Sequence, residues 1–258
     1  MSDGEVHFER DGAVAHITFD RPAARNAMTW HMYQRLTKIC EQLTTDNDVR
    51  VAVFRGAGGQ AFIAGTDIAQ FLAFKSGEDG IAYEEKMEHT LGLLEALPMP
   101  TLAVIEGWAI GGGLAIAAAC DLRIATPDAR FGVPIARTLG NCLSVANYAR
   151  LVAALGASRA KRMLLLAENL TADEALAGGF LSAIVTPTEL DQRIAELCDR
   201  LQHHAPITMR VSKEAIHRLL HAGLPDGDDL VRACYGSDDF RIGVRAFVEK
   251  KTPAWTGR

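Results

Sequence analysis

The apolar positions of this chain switch between two periods. Val6, Phe8, Ala13, Ala15, Ile17 and Phe19 alternate around Asp11-Gly12, which predicts a β-hairpin with one buried face. After Asp20-Arg21-Pro22 the spacing lengthens. Met32, Leu36, Ile39 (with Cys40) and Leu43 recur at helical intervals, so a helix is expected over 29–43 with Thr29 as its N-cap. A strand is expected over 49–54, and a short apolar run at 61–64 breaks at Gly65, where Thr66-Asp67 open a short helix over 68–74. Residues 75–80 read as a mobile polar loop. A helix over 81–97 follows, with Met87, Leu91, Leu94 and Leu97 on one face, and Pro98 and Pro100 stop it.

The stretch 101–121 joins a buried strand at 101–105, a hinge at Gly107, and a small-residue helix opened by Gly111, Gly112 and Gly113 and ending near Cys120. Strand, glycine turn and helix start leave backbone N–H groups unpaired at the positive end of a helix dipole. Such a place suits an anion or a developing oxyanion. Further strands are expected at 122–125 and 181–185, with 130–133 leading into an irregular loop at 134–143 and helices at 144–154 and 158–167. Thr171 to Glu174 has capping-box spacing, with a stop at Gly178-Gly179. From 189 to 251 the pattern is helical throughout. Strands and helices thus alternate up to about 187 before a helical tail, which predicts α/β architecture with a core over 1–188 and a helical region over 189–258.

Composition narrows the function. The chain of 258 residues is 48% hydrophobic and 23% charged, ordinary for a globular protein. A net charge of −5, with no basic run, argues against a nucleic-acid partner. The stretch 101–119 approaches membrane-spanning length, but Glu106 and four glycines within it favour a buried strand, turn and helix, so no membrane partner is expected. Met-Ser-Asp-Gly-Glu at the start lacks a signal-peptide pattern. Cys40, Cys120, Cys142, Cys198 and Cys234 form no CxxC or metal-ligand pattern. A cytoplasmic protein with reduced cysteines and no metal is expected.

Two glycine turns follow apolar strands, Ala64-Gly65-Thr66-Asp67 and Gly111-Gly112-Gly113. Converging amides from such turns can hold the oxygen of a thioester enolate, and each lost donor costs ~3–4 kcal/mol of barrier. Gly56-Ala57-Gly58-Gly59-Gln60-Ala61 fits the dinucleotide fingerprint. However, the next residues continue as strand rather than helix, and Glu78 or Asp79, the acidic partner by spacing, falls in a loop. No GxSxG elbow is present. His203-His204 lies at a helix end, and His89 lies off the apolar face of its helix.

The segments Arg55 to Ile68 and Ile105 to Ile124 together resemble the crotonase superfamily, the enoyl-CoA hydratase/isomerase family. The similarity extends to Arg21-Pro22 with Asn26-Ala27-Met28, to 171–185, and to 240–257 with Ala246-Phe247-Val248-Glu249-Lys250. It implies a spiral of ββα repeats with a helical C-terminal trimerisation region, assembled as a homotrimer or a hexamer. It implies an acyl-CoA substrate whose coenzyme A needs no separate cofactor. The oxyanion hole then maps to the amides of Thr66 and Gly112. The coenzyme-binding strip maps to Ala64 and to Thr66, Asp67, Ile68 and Ala69, with Arg25 near a phosphate and Phe247 and Lys250 meeting coenzyme A, often across a subunit interface.

The hydratases of this family carry two glutamates that activate water, and their positions here are Ala115 and Ile135. Neither side chain transfers a proton. Substitute acids, bases or orienting groups are sought in Glu88, on the helix before the central strand, and in Arg137, Asn141 and Cys142 in the loop. Glu106 and Asp67 have structural roles open to them, Asp67 as a helix cap. The reaction is therefore open between hydration by other residues, isomerisation, decarboxylation and thioester hydrolysis. A catalytically silent subunit that binds coenzyme A thioesters is the alternative.

Overall fold

In the computed structural model, which describes residues 3–258, the hairpin forms first: β1 (Glu5–Asp11) pairs antiparallel with β2 (Val14–Asp20), Asp11 opposite Val14. Thr29 caps α1 (Trp30–Thr45), its hydroxyl accepting from the Met32 amide. The chain then repeats one unit: β3 (Val51–Gly56), β4 (Ala61–Ala64), a 3-10 turn (Ile68–Ala73) and α2 (Gly77–Glu95). The next unit is β5 (Thr101–Ile105), β6 (Trp108–Ile110) and α3 (Gly112–Ala119). The third is β7 (Leu122–Ala125), β8 (Arg130–Gly132), the short α4 (Ile135–Thr138) and α5 (Val145–Leu155). Each unit gives its first strand to one sheet and its second strand to another.

After α6 (Ala157–Leu165) come β9 (Leu170–Thr171), α7 (Ala172–Ala177) and β10 (Ala183–Ile184). One sheet thus runs β1-β2-β3-β5-β7-β10 and the other β4-β6-β8-β9. Apart from the hairpin and the β8–β9 pair, the strands are parallel. All five residues of β5 are buried, as a parallel strand covered on both faces requires. On one face the core gathers α1, α2 and α3. On the other, Val51, Val53, Leu102, Val104 and Ile124 meet Leu190, Ile194 and Cys198 of α8 (Leu190–Gln202). The spiral of ββα repeats is therefore present.

The expected loop at 75–80 is a correction. Helix α2 already begins at Gly77, because the Asp79 carboxylate accepts from the Lys75 and Ser76 amides at 2.8 and 2.9 Å. Its first turn is covered by α10 (Asp228–Tyr235): a Cβ on Gly80 would lie 2.3 Å from Tyr235 Cγ. Glycines and charges that read as a loop are here the contact surface of two helices. Strand β6 was not expected either, and α4 lies within the loop expected at 134–143.

The tail is helical as expected. Besides α8 and α10 it holds α9 (Pro206–His221) and α11 (Asp238–Val248). Helix α11 returns to the core through Phe240, whose ring lies 6.1 Å from those of both Phe71 and Phe74. Helix α9 has no buried residue. Among the described residues no helix is long and apolar enough to cross a membrane.

Candidate active site

Strand register sets the two glycine turns side by side. Ala64 of β4 pairs with Ile110 of β6, and two residues beyond each lie Thr66 and Gly112. Gly111 has φ +53°, a conformation in which a side chain would be strained, and this kink lets α3 start immediately. A Cβ on Gly113 would sit 2.1 Å from the Ile63 carbonyl oxygen, so only glycine lets α3 meet β4 this closely. Gly112 is the first helical residue, and its amide has no partner within the helix. At the other turn, Met28 donates to the Gly65 carbonyl and Asp67 to the Met28 carbonyl. The Thr66 amide lies outside that bridge.

Hydroxyls surround the pair. Thr66 Oγ1 shares hydrogen bonds with Tyr33 Oη at 2.8 Å and Tyr83 Oη at 3.3 Å. A Cβ on Gly112 would lie 2.4 Å from that Tyr33 oxygen and 3.1 Å from Thr66 Oγ1. Burial pushes both tyrosine hydroxyls well above their ordinary range, so they remain neutral.

A small cavity of about 30 Å³ opens beside Gly111 and Gly112, bounded also by Ala115, Glu84, Leu143 and Asn147. Outside it a cleft of about 590 Å³ runs between α1 and α2, walled by Trp30, Tyr33, Phe74 and Tyr83. Tyr83 and Met87 line both spaces, so the aromatic cleft adjoins the paired turns. A separate cleft of about 600 Å³ under α8 is bordered by His16, Arg55 and Asp191 and contains none of these residues.

Glu84 is the carboxylate at the cavity. One oxygen accepts from Tyr235 Oη at 2.8 Å and the other from the Ser144 amide at 2.8 Å. Burial pushes its carboxyl up to about 7, against the hydrogen bonds from Tyr235, Ser144 and Asn147 that pull it down. A group balanced near neutrality can both take and give a proton. Sequence reasoning chose Glu88 instead. The overlooked signal is spacing: Glu84, Met87, Leu91 and Leu94 form one stripe, and all four are buried. A carboxylate on an apolar stripe is a desolvated carboxylate.

Glu88 lies in a different setting. Its carboxylate is held by both terminal nitrogens of Arg150, and that guanidinium is only 3% exposed. Asn141 donates to Tyr235 Oη at 3.3 Å, so it touches the partner of Glu84 rather than the cavity. Arg137 is exposed, Glu106 is paired with Arg55 at 2.7 Å, and Cys142 Sγ faces the Leu230 carbonyl at 3.9 Å. His89 is exposed, on the wall of the aromatic cleft.

The residues assigned to coenzyme A divide into groups. Arg25 is exposed with φ +50°, and its carbonyl accepts from the Ala64 amide at 3.0 Å, which sets it on the rim beside the first turn. Asp67 caps the 3-10 turn through the Ala69 amide and pairs with Arg21 at 2.8 Å, so its carboxylate is committed. Ile68 is buried and Ala69 exposed. Phe247 and Lys250 are exposed, Phe247 in the last turn of α11 and Lys250 two residues beyond the helix.

Residues 9–258 match the family model described as enoyl-CoA hydratase/isomerase. The chain is 31% identical over 255 residues to a short-chain-enoyl-CoA hydratase of Clostridium acetobutylicum, with 97% of each chain covered. Among solved structures, an enoyl-CoA hydratase/carnithine racemase of Magnetospirillum magneticum is 30% identical, with a TM-score of 0.80 over 100% of this chain and 97% of that one. A methylmalonyl-CoA decarboxylase in complex with 2-nitronate-propionyl-CoA is 26% identical, with a TM-score of 0.89 and 98% of each chain covered. With the ββα spiral and the paired glycine turns, these matches show that the chain belongs to the enoyl-CoA hydratase/isomerase family of the crotonase superfamily.

Proposed function

We propose that this chain converts an acyl-CoA thioester through an enolate whose oxygen sits between the Thr66 and Gly112 amides, with Glu84 moving the proton. The observation that carries this is that one cavity is bordered by both Gly112 and Glu84. As the enolate forms, charge leaves the thioester carbon and collects on an oxygen that two preorganised amides already face. The neutral Tyr33 and Tyr83 hydroxyls hold Thr66 in place. The acyl group lies toward the aromatic cleft. Coenzyme A runs along Ala64, Ile68 and Ala69 past Arg25, and in a trimer or hexamer Phe247 and Lys250 reach it from a second subunit. Asp67 serves the strip as its helix cap. No separate cofactor or metal takes part in this chemistry.

With Ala115 and Ile135 at the positions of the hydratase glutamates, water has no activating pair. Chemistry needing one proton carrier fits better. In an isomerisation, the Glu84 carboxylate removes the α-proton of a 3-enoyl thioester and returns it at the γ-carbon. The second possibility is decarboxylation, supported by the likeness to the methylmalonyl-CoA decarboxylase. There the bond to a β-carboxylate breaks, carbon dioxide leaves with the electron pair delocalised onto the thioester, and protonated Glu84 delivers a proton to the α-carbon.

The test is a panel of crotonyl-, 3-enoyl- and methylmalonyl-type thioesters, with calorimetry of acetoacetyl-CoA binding. Turnover of the 3-enoyl or methylmalonyl-type compound, lost in Glu84→Gln, is expected. Hydration of crotonyl-CoA at ordinary hydratase rates would overturn the proposal. Binding with no turnover of any member would leave the silent subunit.

A further inference from the structure

Where α2, α5 and α9 meet, away from the glycine turns, three ligand-type side chains converge. Glu95 is the last residue of α2, and His217 and His221 stand one turn apart on α9. Glu95 Oε2 lies 3.3 Å from His221 Nε2 and 3.7 Å from His217 Nδ1. All three atoms fall within 4.8 Å of one another.

Neither the Glu95 oxygen nor the His221 nitrogen completes a hydrogen bond there. Both atoms are buried, and their mutual contact has ion-pair distance without hydrogen-bond geometry. Leaving such atoms unmet costs on the order of 1–3 kcal/mol each. The other carboxylate oxygen, Oε1, accepts from Arg150 Nε at 2.8 Å, which aims Oε2 at the two imidazoles. An outer partner that orients a carboxylate in this way is a regular part of metal sites.

We propose that Glu95, His217 and His221 bind a zinc-type divalent cation that fastens α9 to α2. A tetrahedral zinc with arms of ~2.0–2.1 Å holds its ligand atoms about 3.3–3.4 Å apart, close to the two distances from the Glu95 oxygen. Two imidazoles and a carboxylate suit zinc better than calcium or magnesium. The charge also fits. Arg150 is balanced by Glu88 and Glu95, which leaves one negative charge beside two histidines before the cation arrives. The side chains of Glu95, His217 and His221 are 11%, 29% and 21% exposed, so the cluster lies near the surface rather than in the core. The expectation of a protein without metal came from cysteine spacing alone. Here the ligands are two histidines at a four-residue interval and a glutamate on another helix.

The experiment uses the full chain without a histidine tag, stripped by chelator and titrated with zinc against a chromophoric competitor. One equivalent should bind at micromolar or lower free zinc. His217→Ala and His221→Ala should each weaken binding by about tenfold or more, whereas H203A/H204A should leave it unchanged. Cobalt in place of zinc should give a tetrahedral visible spectrum that His221→Ala abolishes, and zinc should raise Tm in the parent but not in H217A/H221A. Three results would overturn the proposal: no binding at ~0.1 mM zinc, equal affinity in the His221→Ala chain, or binding that the His203/His204 pair controls.

Discussion

Tyr235, the last residue of α10, directs its hydroxyl to Glu84 on α2 at 2.8 Å. The helical tail thereby touches the carboxylate that borders the Gly112 cavity. This bond favours the ionised form of Glu84. Tyr235→Phe should therefore raise the carboxyl further and move the pH profile of turnover to higher pH. An unmoved profile would show that Glu84 does not carry the proton.

Glu84 and Glu88 are one turn apart but differ in environment, so the pair discriminates between them. Glu84→Gln should lower kcat by ~10²–10⁴ while acetoacetyl-CoA still binds. Glu88→Gln loosens the Arg150 pair and should lower Tm while kcat stays within a few-fold. Steady-state kinetics with calorimetry on both variants decides it.

The same carboxyl links stability to pH. Burial raises Glu84 from an ordinary 4.5 to about 7 in the folded chain, so the native state keeps its proton longer than the unfolded state. The stabilisation is complete below about 4.5 and is lost as pH rises through about 7, by up to ~3 kcal/mol. Denaturant unfolding of the parent and of Glu84→Gln at pH 5, 6, 7 and 8 should show the parent's advantage shrinking over that range.

Gly112→Ala keeps the amide but places a methyl group 2.4 Å from Tyr33 Oη and 3.1 Å from Thr66 Oγ1. Loss of ~10²-fold in kcat is expected, the size of a lost oxyanion donor. The double variant with Tyr33→Phe removes the nearer oxygen and should recover part of the loss. Equal kcat in the parent and Gly112→Ala would remove this turn from the site.

Helix α9 has no buried residue and leaves Ile207, Val211, Ile216 and Leu219 more than half exposed. Light scattering on the full chain should find a trimer or hexamer. Leu219→Asp, at a side chain that is 77% exposed, should shift the chain toward monomer. A monomeric parent would refute the assembly expected from the family.

The sequence made some features legible because they are local. Alternation in the hairpin, the Thr29 cap, the capping box at Thr171 and the run into three glycines are each written in adjacent residues. What was missed depends on distant partners. Gly77 and Gly80 read as loop until α10 lies on them. Glu88 and Glu84 look equivalent until Arg150 claims the first and Tyr235 the second. Strand β6 is only three residues long, and it is recognisable once β4 and β8 flank it.

Because successive turns of the spiral lay β4 beside β6, Thr66 and Gly112 each stand two residues past the paired positions Ala64 and Ile110, and the sheet holds the strands that carry both turns. Neighbouring strands lie ≈ 4.7–4.9 Å apart wherever backbone hydrogen bonds join them. Backbone pairing sets that interval, so under the proposed mechanism substitutions on the surrounding helices can exchange one proton carrier for another without moving the strands that carry the two turns. The invariant belongs to the backbone, and the chemistry can drift around it.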